Sequence, residues 1–127
     1  MRQAIKMLDS KLQPYSHFKD KRGSFLGLVN EQNWKEVNFV KTEKEAHRGG
    51  HFHKFTHEII FLIHGKMRVK LTNIANLEEV IEFSLEEGEG VRISPNILHD
   101  FFYLEESEHI ALLDRTFDPK NPDLHTL

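Results

Sequence analysis

Between Ser24 and Leu113 the chain repeats one pattern, a short apolar or alternating run closed by glycine, proline, asparagine or acidic residues. The runs cover residues 24–29, 36–42, 57–63, 66–72, 80–85, 91–94, 99–104 and 109–113. β-Branched and aromatic residues fill them, and apolar positions do not recur at helical spacing, so each predicts a strand. Short strands at regular intervals with turn signals between them predict an all-β sandwich or barrel. The best hairpin is residues 57–63, a turn at His64-Gly65 and residues 66–72. In its second arm Met67, Val69 and Leu71 share one face and Arg68 and Lys70 the other. Residues 19–23 read as a turn, and residues 42–47 as a charged connection into Arg48-Gly49-Gly50. Two glycines there let the backbone turn sharply or approach a ligand. Residues 77–80 read as a fragment of helix, and Asp118–Asp123 as turns at the domain edge.

The 127 residues fit a single domain able to bury a core without staples, and ten Phe with 39% hydrophobic content predict a folded globule. The boundaries expected are a core over residues 18–115, an N-terminal arm over 1–17 and a turn-rich tail over 116–127. A net charge of −3 supplies no basic face for nucleic acid, and no run is long enough to span a bilayer. Cysteine is absent, which excludes disulfides and thiolate metal sites and agrees with a reducing, cytoplasmic setting. The opening residues alternate in polarity, unlike a secretory leader.

Nine His are many for this length. His51 and His53, two apart on an extended segment, point to one side of a sheet. Glu58 opens the next apolar run and His99 a later one. A barrel that joins these strands would gather three imidazoles and a carboxylate around one divalent cation, and such a set suits Fe(II), Mn, Ni or Zn. Glu58, set among apolar neighbours, needs a partner. The alternative to a metal is an ion pair with Arg48 or Lys66.

His51, His53, Glu58 and Gly65, followed by Pro95 and His99, match both motifs of the cupin superfamily, and the chain resembles that superfamily over these residues. The resemblance implies a double-stranded β-helix of the jelly-roll type holding one divalent metal through His51, His53, Glu58 and His99. The glycine that often follows the proline is replaced by Asn96-Ile97, a departure bearing on turn shape more than on the ligand. Asp20–Phe25, Arg48–His51 and Phe117–Asp123 add a narrower resemblance, to cupins of bacterial polysaccharide synthesis that modify nucleotide-linked 4-keto-6-deoxy sugars. These are the deoxysugar 3,5-epimerases, the 3,4-ketoisomerases and the C-terminal epimerising domain of capsular polysaccharide synthesis enzymes. The full metal set favours the last.

The function implied is epimerisation or isomerisation of such a sugar for surface polysaccharide. The alternatives are a metal-dependent dioxygenase and a non-catalytic sugar-binding cupin. Enolising a ketone calls for a base at the adjacent carbon and positive charge or donors at the oxygen. His51 occupies the position of the catalytic base in the 3,5-epimerases, but a coordinated nitrogen cannot also accept a proton. Tyr103, which shares the strand parity of His99, and His57 are then the candidate proton carriers. Arg48, Lys54 and Arg68 are the candidates for a nucleotide pyrophosphate. Phe55, Phe101 and Phe102 are candidates for stacking, and His47, His64, His109 and His125 receive no role. Small cupins commonly pair, and the arm before Phe18 has no evident intramolecular task, so a homodimer is expected.

Overall fold

The computed structural model describes residues 7–31 and 33–127, a set of antiparallel strands with a single 3-10 turn at Met7–Asp9. The strands are β1 (Lys11–Leu12), β2 (Ser16–Asp20), β3 (Gly23–Gly27), β4 (Glu36–Thr42), β5 (His47–His51) and β6 (Glu58–His64). They continue with β7 (Lys66–Asn73), β8 (Asn76–Glu86), β9 (Gly90–Ile93), β10 (Ile97–Tyr103) and β11 (Ser107–Leu113). A five-stranded sheet in the order β1-β9-β6-β11-β4 packs on a four-stranded sheet in the order β5-β10-β7-β8, while β2 and β3 form a separate ribbon. No helix among the described residues is long and apolar enough to cross a membrane.

Side-chain periodicity explains which residues meet between the sheets. On β7 the buried residues Met67, Val69 and Leu71 alternate with exposed Arg68 and Lys70, as the sequence predicts. On β10 His99, Phe101 and Tyr103 point inward together. β6 is different, since Ile59, Ile60, Phe61 and Leu62 are all at most 2% exposed. A strand buried on both faces has no polar side to alternate with. Ile60 and Leu62 join the central core, whereas Ile59 and Phe61 face a small cavity bordered by Leu12, Tyr15, Leu28 and Val29. Burying each such side chain contributes about 1.5–3 kcal/mol.

This coverage corrects the expectation for the N-terminal arm. Lys11 and Leu12 pair with Val91 and Gly90, the Ser10 carbonyl accepts from Arg92 N at 2.8 Å, and Met7 is buried in the core. The described part of the arm therefore closes the outer side of β6. The rest of it, residues 1–6, lies outside the described residues.

The hairpin expected around Gly65 is also absent. β6 pairs with β9 and β11, while β7 pairs with β8 and β10, so Gly65 carries the chain from one sheet to the other. Its φ of +99° and the approach of Ser107 Oγ and the Glu106 carbonyl leave no room for a Cβ. β7 pairs instead with β8, and residues 77–80, expected as helix, extend that strand. Residues 47–51 form β5, with Gly49 and Gly50 inside the strand.

Candidate functional site

β5 and β10 place the first imidazoles. His51 and His99 are register partners across these strands, at a bulge between His99 and Asp100. Gly49 (φ +93°) and Gly50 (φ +77°) supply the left-handed backbone that lets β5 follow the bulge, and a Cβ on Gly49 would collide with the His99 carbonyl. After β5 the chain passes through Phe52 and His53 to Glu58 at the head of β6. The ring centroids lie 4.5 Å apart for His51 and His99, 5.1 Å for His53 and His99, and 5.6 Å for His51 and His53. One ring nitrogen from each of the three falls within 4.8 Å of the others. Glu58 Oε1 stands 3.1 Å from His53 Nε2 and 4.0 Å from His99 Nε2, on a side chain only 12% exposed.

The hydrogen bonds around these rings decide where their lone pairs face. His53 Nδ1 donates to the Asp123 carbonyl at 2.7 Å and His99 Nδ1 to the Ile97 carbonyl at 3.1 Å. Because a carbonyl only accepts, both protons sit on Nδ1, and both Nε2 atoms are directed at Glu58. Imidazole lone pairs and a carboxylate repel unless a proton or a cation lies between them. Backbone carbonyls on the far nitrogen are the usual outer support of metal-bound histidine, so the donor set fits a divalent cation. Burial pushes His99 down to about 4, only partly opposed by Glu58, so its ring is neutral and ligand-ready. Burial acts the same way on His53, but hydrogen bonds to Glu58 and the Asp123 carbonyl outweigh it and raise its pKa, so without a cation it is a second proton, on Nε2, that bridges this ring to Glu58. His51 is lowered by burial and by the adjoining His53. Neither ion pair proposed as the alternative for Glu58 is present. Arg48 Nε donates to Thr42 Oγ1 at 2.8 Å, and Lys66 pairs with Glu86 at 3.4 Å.

The donors open into a cavity of about 790 Å³, of a size typical for small-molecule sites. Its walls include Phe101 and Tyr103 of β10 and His109 of β11, and Arg48 borders it. The other sequence candidates fall elsewhere. His57 lies outside the lining, with Nδ1 held by Asp114 at 2.9 Å, because it precedes Glu58 and so takes the opposite side. Lys54 is exposed, and Arg68 is on the outer face of β7, so neither borders the cavity. Phe102 is likewise outside, packed on His47, whereas Phe55 is 62% exposed at the rim beneath the Arg115 guanidinium. Lys35 and Arg115 line the cavity and were missed, since single cations at strand ends carry no pattern.

The tail is the larger omission. Asp123 accepts from the backbone N–H groups of Lys54, Phe55 and Thr56, each at 2.8 Å, and from Thr56 Oγ1 at 2.9 Å. Phe52 and His125 exchange backbone hydrogen bonds beside it. Burial alone would raise this carboxyl, but the donors hold it well below the usual carboxylate range. The apparent turn segment therefore clamps the loop that carries His53. Asn96, where glycine is common, takes φ +65°, a conformation asparagine tolerates, and its N–H donates to the His53 carbonyl at 2.7 Å.

Two antiparallel sheets that gather these imidazoles against a cavity have the cupin jelly-roll fold. More narrowly, the chain belongs to the family described as the polysaccharide biosynthesis C-terminal domain, which matches residues 18–125. A curated relative, UDP-2-acetamido-2,6-beta-L-arabino-hexul-4-ose reductase of Pseudomonas aeruginosa, is 27% identical over 110 residues. The match takes in 84% of this chain but only 29% of that protein's length. Among solved structures, a dTDP-4-dehydrorhamnose 3,5-epimerase from Sulfolobus tokodaii superposes with a TM-score of 0.73 at 22% identity, covering 84% of this chain and 70% of that one. A mutant of the 3,4-ketoisomerase QdtA from Thermoanaerobacterium thermosaccharolyticum, in complex with TDP-4-keto-6-deoxyglucose, superposes at 0.77 with 20% identity, covering 93% and 88%. Likeness at these identities speaks to the fold.

Proposed function

We propose that this cupin binds one divalent metal through His51, His53, Glu58 and His99 and epimerises or isomerises a nucleotide-linked 4-keto-6-deoxy sugar for surface polysaccharide. The convergence of three imidazoles, with Glu58 beside two of them, on a cavity large enough for a small-molecule ligand carries the proposal. The family, and the keto sugar nucleotides named for its relatives, support the substrate class. When bound, the metal supplies a Lewis acid that polarises a ketone oxygen and makes the neighbouring C–H acidic.

The chain's own residues supply the rest. Arg48, Lys35 and Arg115 border the cavity and offer positive charge to a pyrophosphate, while Phe55 at the rim offers an apolar face to a base or sugar. His51 as a ligand gives up the role of base, and His57 stands outside the cavity, which leaves Tyr103 as the one of these candidates on the cavity wall. Burial pushes its hydroxyl up to about 12, so it holds its proton at neutral pH. A homodimer is proposed on the exposed apolar residues Val37 and Phe39 of edge strand β4 and the stacked, half-exposed Phe18 and Phe25 of the β2–β3 ribbon.

The test is exchange of solvent deuterium into a panel of TDP- and UDP-linked 4-keto-6-deoxy sugars. Label appearing at the carbon beside the ketone is the expected result. No label in any of them, or oxygen uptake without exchange, overturns the proposal.

A further inference from the structure

Tyr103 and His109 form a polar pair on the cavity wall, within reach of Arg48 and Glu58. They come from different sheets, Tyr103 from β10 and His109 from β11, and their neighbours in the cavity lining include Val40, Ile60, Phe101 and Ala111. Tyr103 is fully buried and His109 is 4% exposed. The phenol oxygen lies 3.2 Å from His109 Nδ1, with the rings nearly parallel at 13°.

This contact couples the tautomer of His109 to the phenol. Burial pushes His109 down to about 4, so the ring is neutral, with one nitrogen donating and the other accepting. A neutral phenol can donate to Nδ1 or accept from Nδ1–H, and when it donates the imidazole proton resides on Nε2. Nε2 has no hydrogen-bond partner among the described residues. It is not sealed either, because the sole sealed and unpartnered side-chain polar atom among them is Trp34 Nε1. Nε2 therefore reaches the cavity, where an occupant that accepts from it replaces a hydrogen bond to water.

We propose that His109 Nε2–H is a substrate-binding donor that takes an uncharged oxygen of the sugar, ketone or hydroxyl, and that Tyr103 is the positioning residue that holds the imidazole in that tautomer. The inference rests on the cavity being the sugar site, and it has Tyr103 act through His109. A site built around a hydrogen bond to substrate oxygen discriminates against analogues lacking it.

Two measurements test it. In ¹⁵N-histidine NMR of the unliganded protein at neutral pH, the His109 proton is expected on Nε2, and in Tyr103→Phe the tautomer is expected to shift toward Nδ1–H. A wild-type proton on Nδ1 overturns the inference whatever the fate of the proposed function. In titration calorimetry, His109→Phe is expected to weaken TDP-4-keto-6-deoxyglucose, or its UDP counterpart, about tenfold while leaving TDP or UDP alone unchanged. His109→Gln, which retains an N–H, is expected to recover part of the loss. Equal weakening of nucleotide and sugar nucleotide, or no weakening, overturns the substrate contact. A wild-type protein that binds neither keto sugar nucleotide overturns the functional proposal and the contact with it, even if the tautomer is as expected.

Discussion

His51 and His99 stand directly opposite each other on β5 and β10, their ring centroids 4.5 Å apart, because two consecutive glycines let β5 follow a bulge in its neighbour. The geometry of the centre is thus set by backbone conformation one and two residues before the first ligand.

Gly49→Ala tests this dependence. The left-handed backbone and the collision with the His99 carbonyl cost about 1–3 kcal/mol, and relief requires β5 to retreat from β10. Chemical denaturation is expected to show that loss, with weaker zinc binding in competition against a chelator. Unchanged stability together with unchanged zinc affinity would contradict the account.

Asp123 provides a pH signature. Its pKa is depressed in the folded state, so its contribution is complete above the ordinary carboxylate value near 3.8 and fades as pH falls below it toward the lowered value. Asp123→Asn is expected to lower the Tm at pH 7 and to flatten the decline in Tm below about pH 4. It is also expected to loosen metal binding by about 10–100-fold, since the loop it clamps carries His53 and its own carbonyl supports that ring. Parallel Tm profiles for the two proteins would refute this role.

For the proposed homodimer, sedimentation velocity of the native chain is expected to give twice the chain mass. Phe39→Glu, at a position 57% exposed, is expected to give the monomer with stability changed by about 0.5 kcal/mol or less. A native monomer would remove the proposal.

Local patterns carried the sequence analysis as far as contacts are local. Glu36–Thr42 matches β4 because its alternation spans the whole strand, and Tyr103 shares the inward face of His99 because parity follows from the pleat. His51, Glu58 and His99 were legible as neighbours because each stands at a strand end or on a strand whose pleat fixes its direction, whereas His53 lies past the end of β5 and is placed by the tail. The Gly65 turn was misread because a sharp glycine turn between apolar runs has the same local form whether the chain folds back or crosses to the facing sheet. Residues 77–80 lacked a strand signal because that end of β8 is exposed on both faces. Asp123 and His109 were invisible for a further reason. Asp123 meets partners 67 to 70 residues away, and His109 is defined by a tyrosine on the other sheet, so neither leaves a periodic mark.

The most direct test is metal analysis of untagged protein by mass spectrometry, alongside His99→Ala, after exposure of both to zinc, iron(II), manganese and nickel and removal of loosely held ions. About one divalent ion per native chain, absent from the variant while its strand content by circular dichroism is retained, is the predicted result. A native protein that retains none of these metals, or a variant that holds as much as the native chain, would contradict the centre on which the proposed chemistry depends.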